Sequence, residues 1–265
     1  MLTIADLQGL WRRSLIVWPD GRRDDTTAVS WLQGPNFYAD LRVPAHRPDF
    51  EGITGIDGLI REHLTWLALQ DGFAGRLTFD GQFFEWQRQI DYQSKSPTAD
   101  AGRLWVEDGR MIEEGRDIPY IEHWHRDDKH ARTPCGALHL SELGTGAAGF
   151  VVRAGSYFMY ARDRAIPLQP GGTLPELVTM ASLEQAQTLI DCELSFGRIG
   201  APGWMIETSS LPYREGCRLQ LEMASNRTLL TSSDGTAPST DRRREWTILN
   251  SEGDMAFASA ATAEL

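Results

Sequence analysis

The densest run of groups able to do chemistry is Glu122-His123-Trp124-His125-Arg126-Asp127-Asp128-Lys129-His130, with His139 further on. On a strand, side chains alternate between two faces, so His123 and His125 point the same way. That H-x-H pairing is how cupin barrels hold a metal ion, with Asp128 available as a carboxylate ligand. The second cupin motif, built around P-x-G-x-x-H, is missing. Parity argues further against a metal. Tyr120, Glu122, Trp124 and Arg126 share one face, opposite Ile121, His123 and His125, and in the second half Trp246 lies with Ile248 on the more apolar face. If the tryptophan face is inward in both, the two histidines point outward or toward a neighbouring unit. The expectation is therefore no metal at His123 and His125 and no cofactor.

Arg88 is the second feature. In 84–92, Phe84, Trp86, Arg88, Ile90 and Tyr92 fall on one face, and Glu85, Gln87, Gln89 and Asp91 on the other. A guanidinium on an apolar face is costly unless it is paired. Either a protein carboxylate satisfies Arg88 or an anionic ligand does. The candidate ligand-binding set is Arg88, Trp86, Trp31 and Tyr92. No nucleophile elbow, phosphate-binding loop or dinucleotide fingerprint stands between a strand and a helix. Gly144-Thr145-Gly146-Ala147-Ala148-Gly149 has the composition of such a loop, but strand-like Phe150-Val151-Val152 follows it. It reads as a hairpin loop.

Composition narrows the partners. The formal net charge is -11, which lacks the cationic footprint of a nucleic-acid binder. Arginine outnumbers lysine 24 to 2, a bias read as coding preference for GC-rich codons, and Arg242-Arg243-Arg244 is the only dense basic cluster. Cys135, Cys192 and Cys217 are odd in number and lack CxxC spacing, which fits reduced thiols. There is neither a basic-then-apolar leader nor a run of about 18 apolar residues. A soluble cytoplasmic protein is expected, with no nucleic-acid or membrane partner. The oligomeric state stays open, a homodimer included.

The elements that must position these residues are mostly strands. Asp-Gly turns separate apolar runs at Asp80-Gly81 and Asp108-Gly109, and Pro19-Asp20-Gly21 follows Leu15–Trp18. Phe37, Ala39, Leu41 and Val43 alternate with Tyr38, Asp40 and Arg42, as in a half-buried strand. Two segments look helical, 56–69 and 182–190, the latter with a Ser182/Gln185 capping box. The halves repeat in order. The strand Phe37–Val43, a helix, Gly75–Gly81, Trp86–Tyr92, Arg103–Glu107 and Glu122–Trp124 correspond to Tyr157–Arg162, a helix, Cys192–Gly197, Trp204–Tyr213, Arg218–Glu222 and Glu245-Trp246. Each half then has about eight short strands and one helix, and a sheet of that size hides its edges by closing into a barrel. The fold class expected is all-β with two short helices: two tandem antiparallel barrels, 1–130 and 131–265, from an internal duplication. The boundary falls between Arg126 and Gly136, where a charged stretch leads into Thr133-Pro134.

Gly9-Leu10-Trp11 resembles the G-x-W start of lipocalins, a calycin family in which the tryptophan plugs the barrel floor and an arginine near the last strand stacks on it. Arg126 is the partner this resemblance implies, and the second half has no G-x-W. A broader resemblance covers most of the chain. Phe37-Tyr38-Ala39-Asp40-Leu41-Arg42-Val43-Pro44, Ile112-Glu113-Glu114-Gly115 leading to Glu122-His123-Trp124, and Leu194-Ser195-Phe196-Gly197 resemble a fungal family of casein-kinase-interacting proteins. That family has two lipocalin-like domains and no known biochemical function. The resemblance implies two lipocalin-like barrels and carries no catalytic residue across. Kinase interaction is not transferred to a sequence that reads as bacterial. The functional expectation is a non-enzymatic lipocalin-like protein that holds a small hydrophobic, apolar or anionic, acid-bearing ligand, or acts as an interaction scaffold. The alternative is a cupin-like metal-dependent enzyme using His123 and His125. A barrel isomerase or cyclase with one buried acid rests on fold analogy alone.

Overall fold

The computed structural model describes residues 2–128, 132–168, 172–233 and 243–254. The first barrel is built from β1 (Gly9–Val17), β2 (Arg23–Asp24), β3 (Ala28–Gln33), β4 (Phe37–Val43), β5 (Asp71–Phe79), β6 (Phe84–Asp91), β7 (Ala101–Glu107), β8 (Arg110–Gly115) and β9 (Ile121–Arg126). Each strand pairs antiparallel with the next, β9 returns to pair with β1, and the two-residue β2 hangs on the outer end of β1. The second barrel runs β10 (Cys135–Glu142), β11 (Ala148–Ala154), β12 (Tyr157–Arg162), β13 (Glu193–Gly200), β14 (Gly203–Ser209), β15 (Arg218–Ser225), β16 (Thr228–Ser233) and β17 (Arg244–Gly253), which closes on β10. Two tandem closed barrels confirm the all-β fold class. The division at 130/131 falls outside the described residues; the strands on either side end at Arg126 and begin at Cys135.

Local sequence explains the turns. Asp108 and Gly109 both take positive φ, 49° and 77°, as a two-residue hairpin between β7 and β8 requires. Asp80 Oδ1 accepts the backbone N–H groups of Gln82 and Phe83, fixing the β5–β6 turn. The helices are α1 (Ile4–Leu7), α2 (Arg61–Leu67), α3 (Leu174–Met180) and α4 (Leu183–Ile190). The single helix expected over 56–69 is interrupted. A 3-10 turn at Ile56–Gly58 is followed by extended Leu59 and Ile60 before α2 begins. The expected capping box of α4 is present, Gln185 N–H donating to Ser182 Oγ and Ser182 N–H to Gln185 Oε1. No helix among the described residues is long and apolar enough to cross a membrane.

The two barrels share one buried seam. Phe37, Ala39 and Leu41 face out of the first barrel and pack with Phe150, Val152, Met159 and Phe196 of the second, and with buried residues of α2, α3 and α4. Tyr38, on the other face of β4, belongs to the aromatic core of the first barrel. The alternation read in 37–43 is therefore real, but both faces are buried from Phe37 to Leu41, and only Arg42 and Val43 are half-buried. The apolar face is covered by a second barrel and the polar face looks into the lumen. Polar bonds stitch the same seam. Glu252 accepts from Asn36 Nδ2 at 2.9 Å and from the backbone N–H of Phe37 at 2.5 Å.

The repeat extends to strand register. Arg42 on β4 sits opposite Asp71 on β5, and Arg162 on β12 opposite Glu193 on β13. Four residues after each acid comes a glycine, Gly75 or Gly197, at a β-bulge against the following strand. A Cβ on Gly75 would collide with the carbonyl oxygen of Gln87, and one on Gly197 with that of Met205. Gly75→Ala and Gly197→Ala should each cost about 3 kcal/mol in urea unfolding, because backbone has to move to make room. Gly58→Ala, whose added carbon meets only Ile53 at 3.6 Å, should stay within about 0.5 kcal/mol. Equal unfolding midpoints for all three variants would show that the bulges do not need glycine.

Candidate functional site

Four tryptophans fill the lower part of the first barrel. Trp31 stands at the centre, with ring centroids 6.1 Å from Trp11, 5.6 Å from Trp86 and 5.5 Å from Trp124. The floor below them is shut. Trp11 donates from Nε1 to the carbonyl of Leu7 in α1, Arg126 lies 4.6 Å above the Trp11 ring, and Arg126 donates to the carbonyl of Asp6. The tryptophan–arginine stack expected from Gly9-Leu10-Trp11 is thus present.

Above the aromatic layer the lumen changes to charge. Glu113 is buried, its two oxygens accepting from Trp124 Nε1 at 3.0 Å and from Tyr120 Oη at 2.8 Å. Burial, reinforced by the nearby carboxylates of Glu122 and Asp100, pushes Glu113 well above the usual carboxylate range. Asp40 is pushed up to about 6 by burial, which outweighs the pull of Arg42 bonded to it through Nε at 2.8 Å. Only a water-sized cavity of about 10 Å³ remains among Trp31, Trp86, Trp124, Phe73 and these acids. Trp31 lines this small space, and its indole nitrogen is buried with no hydrogen-bond partner among the described residues. This barrel is a filled one rather than a hollow cup.

Free volume begins at the mouth. A cleft of about 680 Å³ opens there, floored by Arg13, Arg42, Arg88, Asp71, Asp100 and Glu122 and walled by Trp18, Leu69, Ile118 and Tyr120. A second cleft of about 520 Å³ shares Arg88, Asp100 and Tyr120 and runs down the outer side of β6, where β6 and β7 pair over only two residues. Each guanidinium of the mouth is engaged. Arg13 donates to Glu122 at 2.7 Å and Asp24 at 3.2 Å, Arg42 bonds Asp40 and comes within 3.8 Å of Glu122, and exposed Arg22 pairs with Asp20. Arg88 donates to Asp100 at 2.7 Å, reaches Asp91 at 3.5 Å, and lies 3.5 Å over the ring of Phe73. Asp71 differs. Its Oδ1 accepts the N–H of Gly72, and it makes no ion pair among the described residues.

Of the four residues read as a ligand set, Trp31 and Trp86 meet in the aromatic layer and Arg88 lies above them. Tyr92 is elsewhere. The bulge opposite Gly75 shifts the parity of β6, so Ile90 and Tyr92 leave the lumen for the seam between the barrels, and Tyr92 donates to the carbonyl of Leu67. The face shared by Trp86, Arg88 and Tyr92 in the sequence is therefore split, and Asp91 turns toward Arg88 instead. His123 and His125 flank inward Trp124 on the outer face. His125 is exposed, with Nε2 2.9 Å from Ser14 Oγ. Asp128 lies 3.6 Å from Arg126. No group of three or more metal-capable side chains occurs among the described residues, while Lys129, His130 and Arg242 lie outside them. Arg243 and Arg244 are paired with Glu222 and Glu142. The residues that sequence reasoning missed are Arg13, Arg42, Asp71, Asp100, Glu113 and Glu122. The signal available was the Asp40-Leu41-Arg42 alternation, an acid and a base on one face of a strand.

Asp91 supplies a test of this buried network. Burial raises it to about 6 from 3.8, against the attraction of Arg88. A raised carboxyl binds its proton more tightly in the folded chain, so its contribution to stability is full below about pH 4 and is lost as pH rises through about 6. Asp91→Asn removes that loss. Relative to the parent, the variant should gain on the order of 2 kcal/mol between pH 4 and pH 7 in urea melts. Parallel pH profiles would place Asp91 in water.

No family model matches the chain, and no curated protein matches it. Among solved structures, it is similar to the crystal structure of the uncharacterized protein YLR301w from Saccharomyces cerevisiae, with a TM-score of 0.54 and 11% identity over 92% of this chain and 98% of that one. At that identity the likeness shows a shared fold, spanning both barrels.

Proposed function

We propose that the chain is a small-molecule-binding protein and that the mouth of its first barrel takes a compact cationic ligand, such as an aliphatic amine. The observation that carries this is Asp71, a carboxylate that forms no ion pair among the described residues, in a cleft whose guanidiniums are all engaged. The charged groups lining the cleft are four arginines and five carboxylates, an acidic surplus before the deeper Asp40, Asp91 and Glu113 are counted. A cation completes that balance, and an anion worsens it. Trp18 and Tyr120 line the cleft with aromatic rings, and that of Trp18 already carries the Arg22 guanidinium at 5.3 Å, the kind of contact an ammonium makes.

The same geometry weighs against the acid-bearing ligand for which Arg88 was singled out, because Asp100 and Asp91 already occupy its donors. It weighs equally against a fatty chain in the lumen, which four tryptophans fill. Trp31 and Trp86 support the site from beneath.

Calorimetry with cadaverine and spermidine, beside lauric acid, tests the reading. The amines should bind, more weakly as salt rises, and Asp71→Asn should weaken them roughly tenfold. Lauric acid should give no heat. Binding of lauric acid that disappears in Arg88→Met would restore the acid-bearing ligand. Silence from every amine at low salt would leave the mouth as an ion-paired scaffold.

A further inference from the structure

The second barrel has an opening of its own, at the position corresponding to the mouth of the first. Arg162 and Glu193 occupy the places of Arg42 and Asp71 in strand register. They line a pocket of about 190 Å³ together with Tyr160, Asp191, Arg214 and Arg244. Like Glu122 and Arg13 in the first mouth, several of its polar walls are buried. Tyr160, Arg162 and Glu193 are each under 5% exposed, and Arg214 is 9% exposed.

The charges are arranged differently. Glu193 takes a hydrogen bond from Arg214 Nε at 2.9 Å and another from the Ser195 hydroxyl at 2.9 Å. Arg162 donates from one terminal nitrogen to Asp191 Oδ1 at 2.5 Å and from the other to the Asp191 carbonyl at 3.1 Å. Its Nε is buried with no hydrogen-bond partner among the described residues, and the nearest carboxylate oxygen, on Glu193, is 4.0 Å away. Native interiors rarely leave such a donor unsatisfied. Three arginines and three carboxylates, Asp57 included, line the pocket, so its fixed charge sums to zero.

We infer that this pocket is a second binding site, separate from the first barrel's mouth, for a small neutral molecule rich in hydroxyl groups, a polyol of monosaccharide size or less. A charged ligand would unbalance this set, in which Arg162, Arg214 and Glu193 are buried and Asp191, Arg244 and Asp57 reach solvent, and would be desolvated against its buried side. A hydroxyl both donates and accepts, so it can take the free Nε–H of Arg162 and also give its proton to a spare lone pair of Asp191 or Glu193. The volume lies below the range of about 300–1,000 Å³ usual for drug-sized ligands, which excludes lipids and cofactors. The ring of Tyr213, at the rim, supplies an apolar surface for C–H groups.

The probes are myo-inositol, glucose, glucuronate and glucosamine, followed by saturation-transfer NMR and calorimetry on the full chain. The measurements use both the parent and Asp71→Asn, in which amine binding in the first barrel is weakened. In both proteins glucose or myo-inositol should bind saturably, and in Asp71→Asn glucuronate and glucosamine should be at least roughly tenfold weaker. Asp191→Asn changes a partly exposed side chain at constant shape. It should weaken the neutral probes roughly fivefold or more while leaving cadaverine unaffected, which also reports that the variant is folded. Failure of all neutral polyols to saturate at up to tens of millimolar overturns the inference, as does glucuronate binding tighter than glucose. Loss of polyol binding in Asp71→Asn would place the polyol in the first barrel and overturn it as well.

Discussion

The carboxylate of Glu122 ties the first barrel at its closure. It lies on β9, the last strand, and its partners are Arg13 on β1, the first, and Arg42 on β4, across the lumen. Arg13 carries the tie onward to Asp24 on β2. A closed sheet has no free edge, but its lumen has to be filled, and what fills it decides where a ligand can go. Here indole rings fill one half and an ion network with more carboxylates than guanidiniums the other. Buried ions are stable only in complete sets. Each member therefore fixes the geometry of the next, from Glu122 through Arg42 and Asp40 to the acids around Arg88.

The second barrel reaches the same end with a different charge balance. Trp246, fully buried, plays the part of an aromatic plug, with Tyr160 edge-on to it at 6.3 Å and its indole N–H donating to Thr231. The arginine on the third barrel strand is retained, and so is an acid opposite it. In the first barrel that acid, Asp71, is short and forms no ion pair among the described residues, although its charge is felt by Arg42 and Arg88. In the second, Glu193 is one methylene longer and is held by Arg214 from the 3-10 turn at Pro212–Arg214. Three arginines and three carboxylates line this pocket, against four and five in the first mouth, so an acidic lining gives way to a balanced one. Two copies of one architecture thus carry different charge balances without any change in strand order.

The parts of this arrangement legible in the sequence were those made by neighbours along the chain. Asp108-Gly109, the Ser182/Gln185 box and the limits of β4 and β12 are local, and the ordered repeat fixed the count of strands in each barrel. Thr173 through Glu176 is an equally local capping box, with Pro175 in the first turn, and marks α3; the short helix it starts lay hidden beside the stronger signal at Ser182. Tyr92 shows where local reading stops. Strict alternation put it with Trp86, yet one bulge residue, admitted because Gly75 has no side chain, moved it to the opposite face. Asp71 was illegible for another reason. Its isolation depends on where Arg42, Arg88 and Asp100 find partners, and those partners come from β9, β6 and the approach to β7.

The seam between the barrels links the two mouths physically. Arg164, just beyond β12, is buried and donates through its two terminal nitrogens to the carbonyls of Asp91 and Tyr92, and through Nε to that of Leu189 at the end of α4. Asp91 is the residue whose side chain reaches Arg88 in the first mouth. Arg162, two residues before Arg164, builds the second pocket, and Asp191, which follows α4, completes its ion pair. A guanidinium this deeply buried keeps its place only while all three carbonyls stay within reach. Any shift of β6 that moves Asp91 away from Arg88 therefore strains the bonds of Arg164, and through Leu189 it strains the end of the helix that delivers Asp191. The closely packed apolar seam around Phe37 and Phe150, 5.5 Å apart, resists such shifts. The two mouths are in this way held to one common geometry rather than left to adjust independently.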